Sequence, residues 1–252
     1  MNVIIFGANG SLGRHLVSEG LLSGCHVTAF ARKREKGPER SDNAPQSEKL
    51  TIVEGDATDP QQVYDALSGC DAAIISAGNP KDADAFARIV DTIVTQADGH
   101  PRFGGRLWML AGAALLDIPH TDRNSLGLPG MPPMYRIHQN NYDRIRQSKL
   151  DWSVLCPGPM VENSPDSAYM ANLRISAEEL PLAFSESERS LPDAELSGLI
   201  ARKLPELIIP YKEAARLILN HLERSGPFSG KRVGIALPEG SGGEKAGWSL
   251  GQ

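Results

Sequence analysis

Gly7, Gly10 and Gly13 recur at three-residue spacing between a short apolar run, Asn2 to Phe6, and an amphipathic stretch that begins at Leu12. A strand-to-helix turn needs glycine for three physical reasons. It allows positive φ, it lets backbone approach a ligand closely, and it seats the helix tightly against its strand. The first N–H groups of a helix have no intrahelical partner and carry the positive end of its dipole, so they attract phosphate. Gly7, Asn9, Gly10, Ser11, Leu12 and Gly13 are therefore candidate contacts to a diphosphate. The next apolar run, His26 to Ala31, leads straight into Arg32-Lys33-Arg34. A carboxylate there would bond the ribose hydroxyls of NAD, whereas cationic side chains pair with a 2′-phosphate. The expected cofactor is NADP(H), with Arg32 as first contact and Lys33 as second; a solvated charge run after a strand is the alternative.

Two further strand ends carry candidates. Gly55-Asp56-Ala57 follows the third apolar run, and Asp56 could accept a hydrogen bond from an adenine amino group, with Ala57 beside it. Asp59 is better placed than Asp56 to cap a helix opening at Pro60. Ser76, Ala77 and Gly78 end the fourth run, where small side chains would let ribose and pyrophosphate lie across the strand ends; packing alone explains them equally well.

The elements that must hold these residues alternate. Apolar runs at residues 2–6, 26–31, 50–53, 72–76, 106–111 and 152–156 read as strands. Helical spacing covers 12–22, 60–67, 83–97 and about 138–148. Alternation of this kind implies right-handed βαβ units and a parallel sheet covered on both faces. The fold class is thus α/β, a Rossmann-type doubly wound parallel sheet. Residues 1–240 form one domain, with its core in 1–160. Residues 162–205, polar and holding Pro165, Pro181, Pro192 and Pro205, read as a small substrate-side lobe or lid. A helix over 211–222 and a last strand over 231–236 follow. Disorder is expected from Pro238 and throughout 241–252, where Gly, Ser, Lys and Glu dominate.

Composition excludes several functions. In 252 residues, 40% are hydrophobic and 23% charged, the profile of an ordinary globular protein. A net charge of −5 gives no electrostatic case for nucleic acid or an anionic membrane. No apolar run reaches the roughly 18 residues a membrane span needs, and Gly7 breaks the only N-terminal apolar stretch, so no signal peptide is expected. Cys25, Cys70 and Cys156 form no CxxC pair. They read as core thiols in a reducing compartment, with no metal site. The expected setting is cytoplasmic, with a small-molecule substrate and a homodimer as candidate assembly.

Gly7 to Gly13 (GANGSLG), GDATD at 55–59, ISAG at 75–78 and SKLDWSVLCPGPM at 148–160 occur in the order found in atypical short-chain dehydrogenase/reductases. The chain most resembles the NAD(P)H-binding branch that includes NmrA-like proteins and the biliverdin-IXβ and flavin reductases, over about residues 1–160 and more weakly near 209–215. The resemblance implies that the loop Pro157, Gly158, Pro159, Met160 borders the nicotinamide. It also exposes departures. Active members of the wider superfamily place a Ser after the fifth strand and Tyr-x-x-x-Lys on the next helix, but here the strand ends Leu110-Ala111-Gly112-Ala113-Ala114 and the helix reads Tyr142 to Arg146. Arginine keeps the charge but differs in donor shape and stays protonated.

An incomplete proton relay favours acceptors that delocalise charge over a ring and take their proton from water: flavins, quinones or tetrapyrroles. Tyr142 and His138 lie one turn apart and are candidates to face the nicotinamide together, Tyr142 as donor or orienter and His138 as a donor titrating in the working range. Core packing for Tyr142 and surface exposure for His138 are the plainer alternatives. The loop 115–137, with Met131, Met134 and Tyr135, is either an apolar substrate wall or a structural connection. A non-catalytic NADP-binding sensor of NmrA-like type is the competing reading; a sugar epimerase or dehydratase, which needs the intact Tyr and Lys, ranks third.

Overall fold

The computed structural model describes residues 1–32, 47–162 and 172–245. Its centre is set by strands that bury both faces. β1 (Asn2–Phe6) is buried from Val3 onward, and every residue of β4 (Ala72–Ile75) is buried. Only a strand covered by helices on both sides can do this. Eight strands form one sheet in the order β3 (Leu50–Glu54), β2 (His26–Ala31), β1, β4, β5 (Arg106–Leu110), β6 (Asp151–Pro157), β10 (Lys231–Ala236) and β8 (Arg174–Ala177). All neighbours run parallel except β8, which is antiparallel to β10. The order reverses at β1, giving a Rossmann-type doubly wound sheet. In such sheets ligands bind beyond the carboxyl ends of the strands at the point of reversal.

Alternation along β1 separates two cores. Val3 and Ile5 face the layer of α1 (Ser11–Leu22) and α7 (Tyr211–Leu219), packing with Leu16, Ala214 and Ile218. Ile4 and Phe6 face the opposite layer, built by α2 (Pro60–Leu67), α3 (Ala83–Ala97), α4 (Arg136–Arg146) and α6 (Asp193–Lys203). The Asp59 carboxylate accepts from Gln61 N and Gln62 N at 2.9 and 3.1 Å and so caps α2, with Pro60 at the first helical position.

Residues 172–207 are more regular than their composition suggests. They supply β8 at the sheet edge, the short α5 (Glu186–Arg189) and α6. β8 alternates partly buried and exposed residues, and its Ile175 points outward, so no continuous apolar run marks it. Two strands too short to read from sequence, β7 (Met160–Val161) and β9 (Ile209–Pro210), pair in parallel. Beyond Pro238, where the sequence suggests disorder, residues 239–245 lie against the turn at 205–208, and Gly243 N donates to Pro205 O at 2.9 Å; 246–252 lie outside the described residues. Among the described residues, no helix is long and apolar enough to cross a membrane.

Candidate functional site

The glycine turn closes on itself. Gly7 N donates to Phe30 O at 3.0 Å, Gly10 N donates to Gly7 O at 2.9 Å, and Gly10 is the N-cap of α1 without any side-chain cap. The first N–H groups of α1 are thus left for a ligand. Gly7 has φ +89°, and a Cβ there would lie 2.6 Å from Ala77 N. At Gly13 a Cβ would meet Gly7 O at 2.1 Å. The first glycine brings the turns after β1 and β4 together, and the third seats the helix on its own turn.

In front of this turn runs a cleft of about 870 Å³. Gly7, Asn9, Gly10, Arg32, Asp56, Ala57, Ser76, Ala77 and Gly78 all line it. Ser76 is anchored by its Oγ, which donates to Phe6 O at 2.9 Å. Asp56 is less free than its spacing suggests: Oδ1 accepts from Thr58 N at 2.9 Å and Thr58 Oγ1 at 2.8 Å. Those two hydrogen bonds, aided by nearby Arg32, hold its carboxyl below the usual carboxylate range. Its second oxygen carries no hydrogen bond among the described residues.

At its Ser76–Gly78 end, together with Phe86, the cleft meets a second cavity of about 230 Å³. Pro157, Gly158 and Met160 line this chamber, and so do Met131, Tyr135 and His138. Among the described residues, no Asp, Glu, Lys or Arg does. A polar groove built from strand-end backbone, opening into an uncharged apolar chamber, suits a dinucleotide with a charged diphosphate and an uncharged ring at one end.

The sequence matches the NAD(P)H-binding family model over residues 7–179. The chain belongs to the NAD(P)H-binding family. Solved structures with this fold include a provisionally named NADH-flavin reductase from Streptococcus pneumoniae (20% identity, 94% of this chain and 99% of that one, TM-score 0.69). A provisionally named epimerase from Bacteroides thetaiotaomicron is comparably similar (20%, 93% and 96%, 0.68). So is a short-chain dehydrogenase/reductase from Veillonella parvula in complex with NADP (16%, 98% and 99%, 0.64). At such identities these likenesses establish the fold. No functionally curated protein matches the sequence.

Within this NAD(P)H-binding protein the remaining candidates divide. Ser11 is exposed beside the cleft without lining it, while Leu12 and Gly13 are buried beneath the turn. Lys33 lies outside the described residues. His138 and Tyr142, expected to face the nicotinamide together, diverge. His138 is buried in the chamber wall, and burial pushes its pKa down to about 4. It is neither a surface histidine nor a donor titrating in the working range, because an apolar wall disfavours the charged ring. Tyr142 lines neither cavity. Its ring meets Trp152 edge-on at 5.7 Å, with the guanidinium carbons of Arg146 and Arg232 at 5.6 and 5.3 Å from its centroid. Burial raises its phenol pKa.

Sequence reasoning missed several wall residues. Ser125 supplies a hydroxyl that the turn after β5 lacks, and Leu180 and Ile200 close the chamber from the segment read as a lobe. Arg88, on α3, lines the cleft as a second exposed cation. None follows a strand directly, so no local motif announces them.

Proposed function

We propose that this protein is an NADPH-dependent reductase that passes a hydride to a conjugated acceptor of flavin, quinone or tetrapyrrole class. The observation that carries this reading is the continuity of a nucleotide cleft with an apolar chamber of ring-sized volume at the ends of β4 and β6. Bound reduced nicotinamide supplies the hydride. The side chains supply binding and exclusion of water. Ser76, Ala77 and Gly78 keep the junction open, and Pro157, Gly158 and Met160 form the opposite wall.

Arg32 supports the 2′-phosphorylated cofactor. It lines the cleft as an exposed guanidinium at the end of β2, where a carboxylate would repel that phosphate. The Veillonella parvula structure, of like fold, holds NADP. The Streptococcus pneumoniae protein's name is consistent with a flavin-class acceptor.

The acceptor gains a hydride from the nicotinamide and a proton from water, leaving NADP⁺ and the two-electron-reduced product. His138 is neutral at working pH and holds no exchangeable charge to give. Tyr135 is the one phenol lining the chamber among the described residues. If water is the proton source, Tyr135→Phe keeps turnover within about tenfold, below the roughly 10²- to 10⁴-fold contribution of a general acid.

The deciding assay follows the reduced-nicotinamide absorbance of NADPH with FMN, a naphthoquinone and a linear tetrapyrrole offered in turn. Consumption with at least one of them is expected. Saturable NADPH binding without consumption by any would contradict the reductase reading and favour a nucleotide sensor.

A further inference from the structure

Two polar side chains border the apolar chamber with nothing to bond. Ser125 is 2% exposed and His138 5% exposed, and neither Ser125 Oγ nor His138 Nδ1 has a hydrogen-bond partner among the described residues. Native proteins rarely leave buried hydroxyl or imidazole groups unpaired, because each lost its water on burial. Neither side chain is loosely placed. Ser125 N donates to Leu116 O at 3.1 Å, and neighbouring Asn124 fixes the turn by accepting from Leu126 N at 2.9 Å and donating to Asp117 Oδ1 at 2.8 Å. The His138 ring stacks on Tyr135 at 6.0 Å and meets Phe86 edge-on at 5.9 Å. Gly112 leaves its other nitrogen approachable: a Cβ at 112 would sit 3.2 Å from Nε2.

The chamber's size and charge narrow the guest. A closed cavity of about 150 Å³ suffices for one benzene ring. This chamber of about 230 Å³, open to the cleft, takes one or two fused rings, and a larger acceptor would leave its other rings outside the mouth. Among the described residues the wall carries no ionised side chain to meet a carboxylate or phosphate.

We propose that Ser125 and His138 are a specificity-determining pair that receives the carbonyl or hydroxyl edge of an uncharged acceptor of one or two fused rings. This rests on the reading of the chamber as the acceptor site. A hydroxyl that rotates and an imidazole that exchanges tautomers can each donate or accept. The pair therefore suits both sides of a two-electron reduction, in which a ring C=O accepts hydrogen bonds and the O–H formed from it donates them. In that step the acceptor takes two electrons and one proton as hydride from the nicotinamide and its second proton from water.

The test is equilibrium titration of the full-length protein with three redox-inert two-ring probes: 1-tetralone (a ring carbonyl), 1-naphthol (a ring hydroxyl) and naphthalene (neither). Wild type should bind the two oxygenated probes about tenfold more tightly than naphthalene, the worth of one or two buried hydrogen bonds. Ser125→Ala and His138→Leu should each reduce that ratio by about threefold or more without weakening naphthalene. His138→Gln, which keeps a hydrogen-bonding group, should restore part of it. A purely structural role for either residue would leave the ratio unmoved. Ser125→Ala carries the test alone if His138→Leu fails to fold, as judged by circular dichroism. Equal binding of all three probes by wild type, or an undiminished ratio in the variants, overturns the pair even if NADPH is consumed. A ratio that falls as expected while no acceptor consumes NADPH upholds the pair as a binding site and overturns the reductase reading instead.

Discussion

The cleft and the chamber share Ser76, Ala77, Gly78 and Phe86, yet they are built in opposite ways. The cleft is backbone and charge: glycine turns at strand ends, a helix start without a side-chain cap, and Arg32 facing Asp56. The chamber is side-chain surface gathered from five separated stretches, near residues 76–86, 110–114, 125–138, 157–160 and 180–207. On the proposed function, the first would bind what is common to the family and the second what is particular to this member. The first is assembled from four neighbouring strand ends, each marked by its own short motif; the second exists only once the far edge of the sheet has packed as well.

The sharpest way to break the contrast is at the turn. Gly7→Val forces a β-branched residue to φ +89° with its Cβ 2.6 Å from Ala77 N. Strain and overlap of this kind should weaken nucleotide binding on the order of 100- to 1000-fold, read by titration, while the two-ring probes still bind. Loss of probe binding as well would show that the two cavities do not act separately.

The chamber side has its own signature in pH. His138 has an ordinary pKa of 6.5 and is pushed down to about 4 by burial. Below 6.5 the unfolded chain takes up a proton that the native state refuses until about 4. His138 therefore opposes stability progressively as pH falls from 6.5 to 4, and has no effect above that window. The expected loss is on the order of 3 kcal/mol. Denaturant midpoints against pH should show this slope in wild type and lose it in His138→Leu; parallel slopes would place the ring in contact with water.

Arg32→Asp separates the cofactors. Exchanging a phosphate partner for a like charge should cost NADPH about 10- to 100-fold and leave NADH within about threefold. Equal losses would remove the 2′-phosphate assignment. The smallest effect belongs to Tyr142→Phe. Its ring lies against Trp152, Arg146 and Arg232 and lines neither cavity, so turnover should change by less than about threefold, well under the contribution of a general acid.

The same contrast explains what was legible in the sequence. β1, β2, α2, α3 and β10 fall where periodicity puts them, and Asp59-Pro60 marks the start of α2 to the residue. The glycine turn and Arg32 were readable because each follows a strand directly. Ser125 was not, since it stands in a turn defined by Asn124 and reaches the chamber only through the fold. Leu180 and Ile200 were hidden in a polar, proline-bearing segment whose edge strand shows no apolar run. Helical spacing points to His138 but not to its titration, because its burial depends partly on Phe86 from α3. The same spacing misled at Tyr142, which turns toward β6.

On the proposed function, the turn at Gly7–Gly13, with Arg32, holds a reduced 2′-phosphorylated nicotinamide dinucleotide. Equilibrium titration of the wild-type chain with NADPH and NADH tests it most directly. Saturable binding of both is expected, with NADPH tighter by about tenfold or more, the worth of one charge-assisted phosphate contact. Saturation by neither nucleotide would rule out a dinucleotide site at this turn.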